Sequence, residues 1–554
     1  MKIVECVPNF SEGRDSAILD KISETIKGID GAVLLDVDPG MGTNRTVYTI
    51  VGEPKAVIEA AFQAIKTASE LIDMTKHSGA HPRMGATDVC PFIPVADMTM
   101  EECIEMSKEL GERVGRELKI PIYLYEYSAS KPEWKNLAEV RKGEYEGLAA
   151  REGKEEWNPD FGPATFNAKT GATATCAREF LIAYNINLNT RDKKKAHDLA
   201  LTIREAGRKA RDGKGKLIKD ENGKAVKTPG LFKNCKAVGW YIDEYNRAQI
   251  SINLTNYKIT PPHIVLEKVR ELATELNIQV TGSELVGLIP KEAILEAGTF
   301  YLRRMGESAG IPERMIIETA IQSMGLDDLG EFDVDKKVIE YAIQEEGRLV
   351  DMTIEGFCDE LSSDSPAPGG GSVAALCSAL SGSLTAMVAN LTVNKKGYEN
   401  GWEEAKVLAE DGQRVKEMSL QAIDKDTKVF FDMMNAMKLP KKTDVEKAIR
   451  LEAIQDATKE AIMIPFESLE IALEAVKLSG KIAKIGNSNA LSDAGVAAIT
   501  ANAAAKSAFL NVKINMSAID DKTWVDDIMT KAQKLAEEID VLALKFETEV
   551  KASV

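Results

Sequence analysis

"AVLLDVDPGMGTNRTVYTIVG", residues Ala32–Gly52, decides the fold of the first half of this chain. Two apolar, β-branched runs, AVLLDVD and RTVYTIVG, flank the turn-rich PGMGTN, the pattern of two strands joined by a tight connection. The flanking sequence completes a unit. KIVECV reads as a strand, and DSAILDKISETIKGI carries apolar residues at helical spacing. After Gly52, PKAVIEAAFQAIKTASELID reads as a helix with Pro54 near its first position, where a missing N–H costs nothing. The loop HSGAHPRMGATDVC, His77–Cys90, then feeds another strand, VCPFIPV. The order β-α-β-β-α-β predicts a ferredoxin-like unit.

The same order returns from Phe180. FLIAYNINL reads as a strand and KKKAHDLALTIREAGRKA as a helix. KAVGWYID and AQISINLTN form a hairpin over DEYN. HIVLEKVRELATELN reads as a helix and QVTGSELVGLIP as a closing strand. The inserted RDGKGKLIKDENGKAVKTPG is polar and turn-rich, so a flexible excursion is expected. Two such units side by side make a cleft. After about residue 340 the strands stop. EFDVDKKVIEYAIQEEGRL reads as a helical connector, and everything from Met352 onward has helical period. The expected class is α/β plus all-α: two ferredoxin-like α/β subdomains, 1–180 and 181–340, a linker at 341–348, and an all-α helical bundle at 349–554.

Bulk composition limits the function classes. The 554 residues are too many for one core. The net charge of −17, from 70 Lys and Arg against 87 Asp and Glu, argues against a general nucleic-acid binder. Seven scattered cysteines without a C-x-x-C pair fit a reducing compartment. MKIVECVPNF is no signal peptide. The most apolar run, Ser372–Val393, is interrupted by Ser, Thr and Asn and reads as a buried helix, not a membrane span.

Two of the four histidines, His77 and His81, lie in the His77–Cys90 loop. Gly79, Pro82 and Gly85 rule out a helix there, so these histidines are not an i, i+4 metal pair. Either they cap backbone groups, or one works as a proton shuttle near neutral pH between the carboxylates Asp36 and Asp38 and the arginines Arg45 and Arg83.

VECVPNFSEGRD, LLDVDPGMGTNRTVYTIVG, HSGAHPRMGATDVCPFIPV, NPDFGPATFNAKTGATATCAREFLIAYNINL and GWYIDEYNRAQISINLTN together resemble the glutamate formiminotransferase family, over nearly all of residues 1–330. That resemblance implies transfer of a formimino group from formiminoglutamate to N5 of tetrahydrofolate, with His81 as general base. It also implies a folate-contacting segment at Gly162, Pro163, Ala164, Thr165, Phe166, Asn167, Ala168, Lys169, Thr170 and Gly171. Chemistry and position suggest Arg45, Arg83 and Arg178 for the donor's carboxylates. Asp38 is suggested for the amidinium-like formimino group or for orienting the histidine.

In the helical half, SSDSPAPGGGSVAALCSALSG places Gly369, Gly370, Gly371 and Ser372 at a helix start, where free N–H groups favour carbonyl or anionic partners such as folate. No P-loop is present. In RVKEMSLQAIDKDTKVFFDMMNAM an apolar stripe runs Val415, Met418, Ala422, Phe430, Met433, Met437, and Asp426 falls on it. A carboxylate there has a raised pKa and marks either a functional site or a buried structural pair. FCDELSSDSPAPGGGSVAALCSALSGSLTAMVANLT, DKDTKVFFDMMNAMKLPK and GNSNALSDAGVAA resemble the formiminotetrahydrofolate cyclodeaminase family over residues 350–554, which implies that Asp426 is catalytic. Asn487, Ser492 and Asp493 either bind folate or cap, with Ser492 a candidate N-cap.

The first reaction's product is the second's substrate, so the whole chain resembles the bifunctional enzymes of histidine degradation. The resemblance implies tetrahydrofolate as co-substrate, polyglutamylated and met by a lysine-rich track. Candidate stretches for the track are Lys131–Lys142, the lysine-rich insertion and Lys395–Lys396. It further implies a homo-oligomer, a ring-shaped octamer in bifunctional members, while the residues themselves lead to the expectation of no metal, no membrane and a cytoplasmic location. Alternatives are another donor (formiminoglycine or 5-formyltetrahydrofolate), a folate-binding assembly protein without turnover, and a zinc amidohydrolase using His77 and His81.

Overall fold

The computed structural model describes residues 2–41, 44–79, 82–221, 223–243, 245–344 and 347–554. The chain divides into two compact units, Met1–Ala297 with Met324–Gln344, and Gly298–Ser323 with Glu345–Val554.

The first unit opens with β1 (Ile3–Cys6), β2 (Asn9–Phe10), α1 (Ser16–Lys27), β3 (Ala32–Gly40), β4 (Arg45–Gly52), α2 (Pro54–Leu71), β5 (Thr87–Ala96), α3 (Met100–Glu117), β6 (Ile122–Glu126) and β7 (Thr173–Ala177). β1 and β2 are one strand interrupted at Val7 and Pro8, and both pair antiparallel with β4 and β5. The order β3-β4-β1-β5 is ferredoxin-like, and β7 and β6 extend it in parallel beyond β5. That extension has no counterpart in the sequence reading. It requires the crossover helix α3, which starts at a Thr99–Glu102 capping box. Alternation sorts the faces. Val4, Cys6, Tyr48 and Ile50 pack with Ile22, Ile26, Ile65 and Leu110 of the helices. Glu5, Val47 and Thr49 point the other way, into a cavity.

The second subdomain contains β8 (Ile182–Leu188), α4 (Lys193–Ile203), β9 (Cys235–Ile242), β10 (Arg247–Leu254), α5 (Pro262–Glu275) and β11 (Val280–Val286). Its order, β9-β10-β8-β11, is antiparallel throughout and repeats that of β3-β4-β1-β5. Three expectations are corrected here. The helix expected to reach Ala210 ends at Ile203, because Arg204 is extended and Gly207 takes φ +56°. The insertion expected to be flexible is a paired ribbon, with bridges Arg211 to Leu217 and Lys219 to Ala225; Asp212 and Asp220 accept N–H bonds across its two turns. The expected connector helix is two four-residue turns broken at Val338, which is extended and bridges to Ile289.

The second unit contains α6 (Lys291–Met305) from Gly298, α7 (Glu313–Met324) to Ser323, then α8 (Ile354–Ser362), α9 (Gly370–Asn390), α10 (Trp402–Lys438), α11 (Asp444–Ile485), α12 (Leu491–Asn515) and α13 (Lys522–Ser553). Gly310, in the segment contributed from before the linker, accepts from Asn390 Nδ2 at 2.7 Å and lies against Ala409. α9 is long and apolar enough to cross a membrane, but most of it is buried here against its neighbours. Small residues permit that packing: Ala497, Ala498, Ala501, Ala504, Ala505 and Ala508 of α12 are buried. A Cβ on Gly382 of α9 would lie 2.7 Å from the Gly412 carbonyl of α10. Gly382→Ala is therefore expected to push α9 off α10 and cost about 2 kcal/mol; urea unfolding followed by circular dichroism measures it.

Two candidate active sites

In the first unit the face of the first sheet opposite α1–α3 lines a cavity of about 780 Å³, closed from the other side by residues of the second subdomain. Three of the expected binding residues reach it: Asp38 on β3, Arg45 on β4 and Arg178 after β7. Burial lowers the Arg45 pKa from the usual guanidinium value, opposed by the Asp88 carboxylate, and its Nε is buried without a hydrogen-bond partner. Asp36 also lines the cavity, and burial and the Asp38 charge raise its pKa.

Arg83, the remaining arginine suggested for the donor's carboxylates, does not line the cavity. It is buried and bonds Glu146 at 2.6 Å and Glu144 at 3.4 Å, and its Nε donates to His77 Nδ1 at 3.2 Å. A guanidinium already engaged in this way has little left for a substrate carboxylate. His77 is equally occupied. Its Nε2 lies 2.8 Å from the Asn44 carbonyl, which can only accept, so Nε2–H donates and Nδ1 accepts from Arg83. Neither nitrogen is left for a metal. Among the described residues no group of three His, Cys, Asp or Glu side chains is placed to hold one. His81 lies outside the described residues, and its role rests on the resemblance.

Gly162–Gly171 lies beside the His77–Cys90 loop. The Lys169 carbonyl accepts from Met74 N at 2.9 Å, the Thr170 carbonyl accepts from Ala86 N at 2.8 Å, and Tyr145 donates to the Ala168 carbonyl at 2.6 Å. Gly171 is needed: its φ is +66°, and a Cβ would lie 2.1 Å from the Met84 carbonyl. Pro163–Asn167 line a narrow pocket separate from the cavity, with Arg151 stacked 4.0 Å over the Trp157 ring.

Several residues of the cavity wall and its support are not singled out by the sequence. Glu5, on the central strand, is 5% exposed. Burial pushes its pKa up to about 7, against the pull of the Arg178 charge. Asp88 is fully buried, ion-paired with Arg141 of the cavity wall, and accepts from Met84 N at 2.9 Å. Lys236 and Lys337 come from the second subdomain and the broken connector. Strand alternation alone would have flagged Glu5, since KIVECV places it on the face opposite Val4 and Cys6.

In the second unit Asp426 of α10 sits at the start of α9. Ser372 Oγ donates to its Oδ2 at 3.0 Å, and the Ser372 backbone N–H also bonds the carboxylate. Burial nevertheless raises its pKa. Gly371 makes room for it, since a Cβ there would lie 2.1 Å from Asp426 Oδ1. Gly370 lies near Asn511 of α12, a polar neighbour that the sequence reading missed. The apolar stripe needs correction: Met418 and Met437 are exposed, and the buried face runs Leu408, Gly412, Val415, Ser419, Ala422, Ile423 and Val429. Asp426 still falls on it, by the same 3.6-residue period. Asn487, Ser492 and Asp493 do not join Asp426. Asn487 bonds the Leu391 carbonyl and Thr392 Oγ1, at the other end of α9, roughly 30 Å away along its axis. Ser492 is not an N-cap. α12 begins at Leu491 with Ala490 as its cap, because a 3₁₀ turn capped by Asn487 runs directly into it.

Against known proteins, residues 3–178 match the N-terminal subdomain of the formiminotransferase domain, 183–344 the formiminotransferase domain, and 353–534 the formiminotransferase-cyclodeaminase family. The chain is 40% identical over 540 residues to a formimidoyltransferase-cyclodeaminase of Mus musculus, covering 97% of this chain and 96% of that one. The chain belongs to the formimidoyltransferase-cyclodeaminase family. Its first half is 43% identical to a glutamate formimidoyltransferase of Streptococcus pyogenes serotype M1 over 302 residues, 54% of this chain and 94% of that protein. Its helical half is 37% identical to a methenyltetrahydrofolate cyclohydrolase of Methylorubrum extorquens over 202 residues, 36% of this chain and 97% of that protein.

The raised Glu5 pKa has a consequence for stability in this family member. The folded state holds the Glu5 proton up to about pH 7, the unfolded state only to its ordinary value of 4.5. Stability is therefore lost as pH rises through that window, by at most about 3 kcal/mol. Glu5→Gln removes the titration, so its melting temperature relative to wild type should be more favourable at pH 8 than at pH 5. A difference independent of pH would show that Glu5 ionises normally.

Proposed function

We propose that this chain carries out two consecutive folate reactions of histidine degradation. The first unit moves the formimino group of formiminoglutamate to N5 of tetrahydrofolate. The amine N5–H proton is lost and the departing glutamate amine gains one, a task for a neutral imidazole such as His81. The helical unit closes the ring: N10 attacks the formimino carbon, its proton passes to the leaving nitrogen, ammonia departs and 5,10-methenyltetrahydrofolate remains. The observation that carries this reading is Asp426, a half-buried carboxylate of raised pKa held by Ser372 at the start of α9. A carboxyl poised in this way accepts the N10 proton and returns it to the amine.

The mixed charge of the cavity supports a donor with both carboxylates and an amidinium. Arg45, Arg178, Lys236 and Lys337 face Glu5, Asp36, Asp38 and Glu126 across it. The finer parts of the reading are expectations of the same kind: polyglutamylated folate, no metal, a homo-oligomer, a cytoplasmic location, and functional boundaries near residues 180, 340 and 349. A second reading of the helical half comes from the relative named a cyclohydrolase. Ring opening by water would release no ammonia.

Purified protein given tetrahydrofolate and formiminoglutamate should form methenyltetrahydrofolate and ammonia in equal amounts, read by near-ultraviolet absorbance and an ammonia assay. Methenyl interconversion without ammonia would favour the cyclohydrolase reading, and silence with every formimino donor would favour folate binding without turnover. Asp426→Asn should slow cyclisation roughly 10²–10⁴-fold while 5-formiminotetrahydrofolate accumulates. Gly371→Ala should do the same by displacing the carboxylate. His81→Ala should stop transfer but leave cyclisation of supplied 5-formiminotetrahydrofolate intact; loss of both activities would assign His81 a structural role.

A further inference from the structure

The carboxylates around the first unit's cavity are not equivalent. Asp36 and Asp38 are exposed beside one another, with the Lys337 charge acting on Asp36. Glu126 is exposed and lies in the field of Lys236 and Arg178. Glu284 accepts from Asn185, Gln249 and Tyr245. Glu5 alone among them is both buried and without a hydrogen-bond partner among the described residues. An ionised carboxylate with nothing to accept from is costly to bury, and such a group in a cavity wall awaits a ligand with N–H donors. Arg178 is the nearby cation. Its backbone N–H bonds the Phe92 carbonyl on β5, the strand that pairs with β1 and sets Ile93 opposite Glu5. Arg178 forms no ion pair among the described residues; one Nη donates to the Glu179 carbonyl at 2.9 Å.

A formimino amino acid presents the complement. Its amidinium N–H groups and its α-carboxylate are carried on one carbon, opposite charges side by side. We propose that Glu5 is a specificity-determining residue for the donor substrate, its carboxylate receiving the formimino N–H groups while Arg178 receives the adjacent α-carboxylate. This rests on the reading of the cavity as the site of formiminoglutamate. The arrangement moves the amidinium from Asp38, where the sequence alone suggested it, to the buried carboxylate of the cavity wall. The other titratable groups facing this region are Tyr125 and Glu126 on β6, Asp36 and Asp38 on β3, Arg45 on β4, Arg141 from the excursion between β6 and β7, Lys236 and Glu284 from the second subdomain, and Lys337.

Steady-state kinetics of full-length Glu5→Gln should show a KM for formiminoglutamate raised roughly ten- to a hundredfold, since the variant loses a charged hydrogen-bond acceptor. The KM for tetrahydrofolate should move less than about twofold. In the wild type kcat/KM for the donor should climb through the pH range in which Glu5 ionises; that limb should vanish in Glu5→Gln and return in Glu5→Asp. Independently of any variant, calorimetric titration of wild type with formiminoglutamate at pH 6, in buffers of different ionisation enthalpy, should show protons released as the cation displaces the Glu5 proton. A raised KM for tetrahydrofolate instead would make Glu5 a reader of the pterin edge and overturn the proposal. So would unchanged KM values, or binding without proton release. A wild-type protein that neither binds nor turns over formiminoglutamate overturns the reading of the cavity itself, and does so before any variant is made.

Discussion

The buried ion pair of Asp88 and Arg141 ties the first site together. Asp88 is the second residue of β5, fully excluded from water, and its carboxylate also takes the Met84 N–H. Arg141 comes from the long excursion between β6 and β7 and forms part of the cavity wall. One carboxylate thus fixes the end of the histidine loop and the excursion that roofs the sheet, and its field reaches Arg45. Removing either partner would strand a charge in a medium that cannot solvate it, at a cost of about 3–5 kcal/mol. The loop is anchored further by Arg83, which engages His77 and Glu146, and by backbone bonds to the Gly162–Gly171 segment.

The two sites use the same physics on different backbones. In each, a carboxylate is withdrawn from water and retains a proton closer to neutrality than a free side chain would. Glu5 does so on a strand, in a sheet whose one face is packed by helices while the other is left to a cavity. Asp426 does so on a helix, where burial outweighs both the Ser372 hydrogen bonds and the favourable field of a helix start. The missing side chain at Gly371 sets how closely that carboxylate approaches, and no other residue fits the space.

Much of this was legible in the sequence, where the signal was periodic. The strand–helix alternation of both subdomains, the hairpin over DEYN and the helical character of the second half all follow from apolar spacing, because burial of one face imposes that spacing directly. Asp426 was legible for the same reason, even though Met418 and Met437 were misread as core. A one-residue error in the centre of a stripe moves the flanking methionines to the surface but leaves a residue near its middle inside. The parallel addition of β6 and β7 was not legible, since short strands buried on both faces carry no period of their own and their pairing is fixed by tertiary contacts. Nor was the paired ribbon at 208–228, where polar residues form a ladder without any core to impose a pattern.

The three arginines show where residue chemistry stops being informative. Arg83, Arg45 and Arg178 are equally good partners for a carboxylate, and the sequence offers no ground for choosing among them. What separates them is whether the protein has already supplied the partner. Glu144 and Glu146, some sixty residues downstream, reach back to Arg83 and to neither of the others. The same criterion applied to acids selects Glu5 over Asp38, because Asp38 is exposed while Glu5 is buried and meets no donor among the described residues. A binding residue in a preformed cavity is recognised less by its type than by an unmet hydrogen-bonding requirement. Such a requirement is a property of the folded surroundings, so it becomes visible only once distant segments have been brought together.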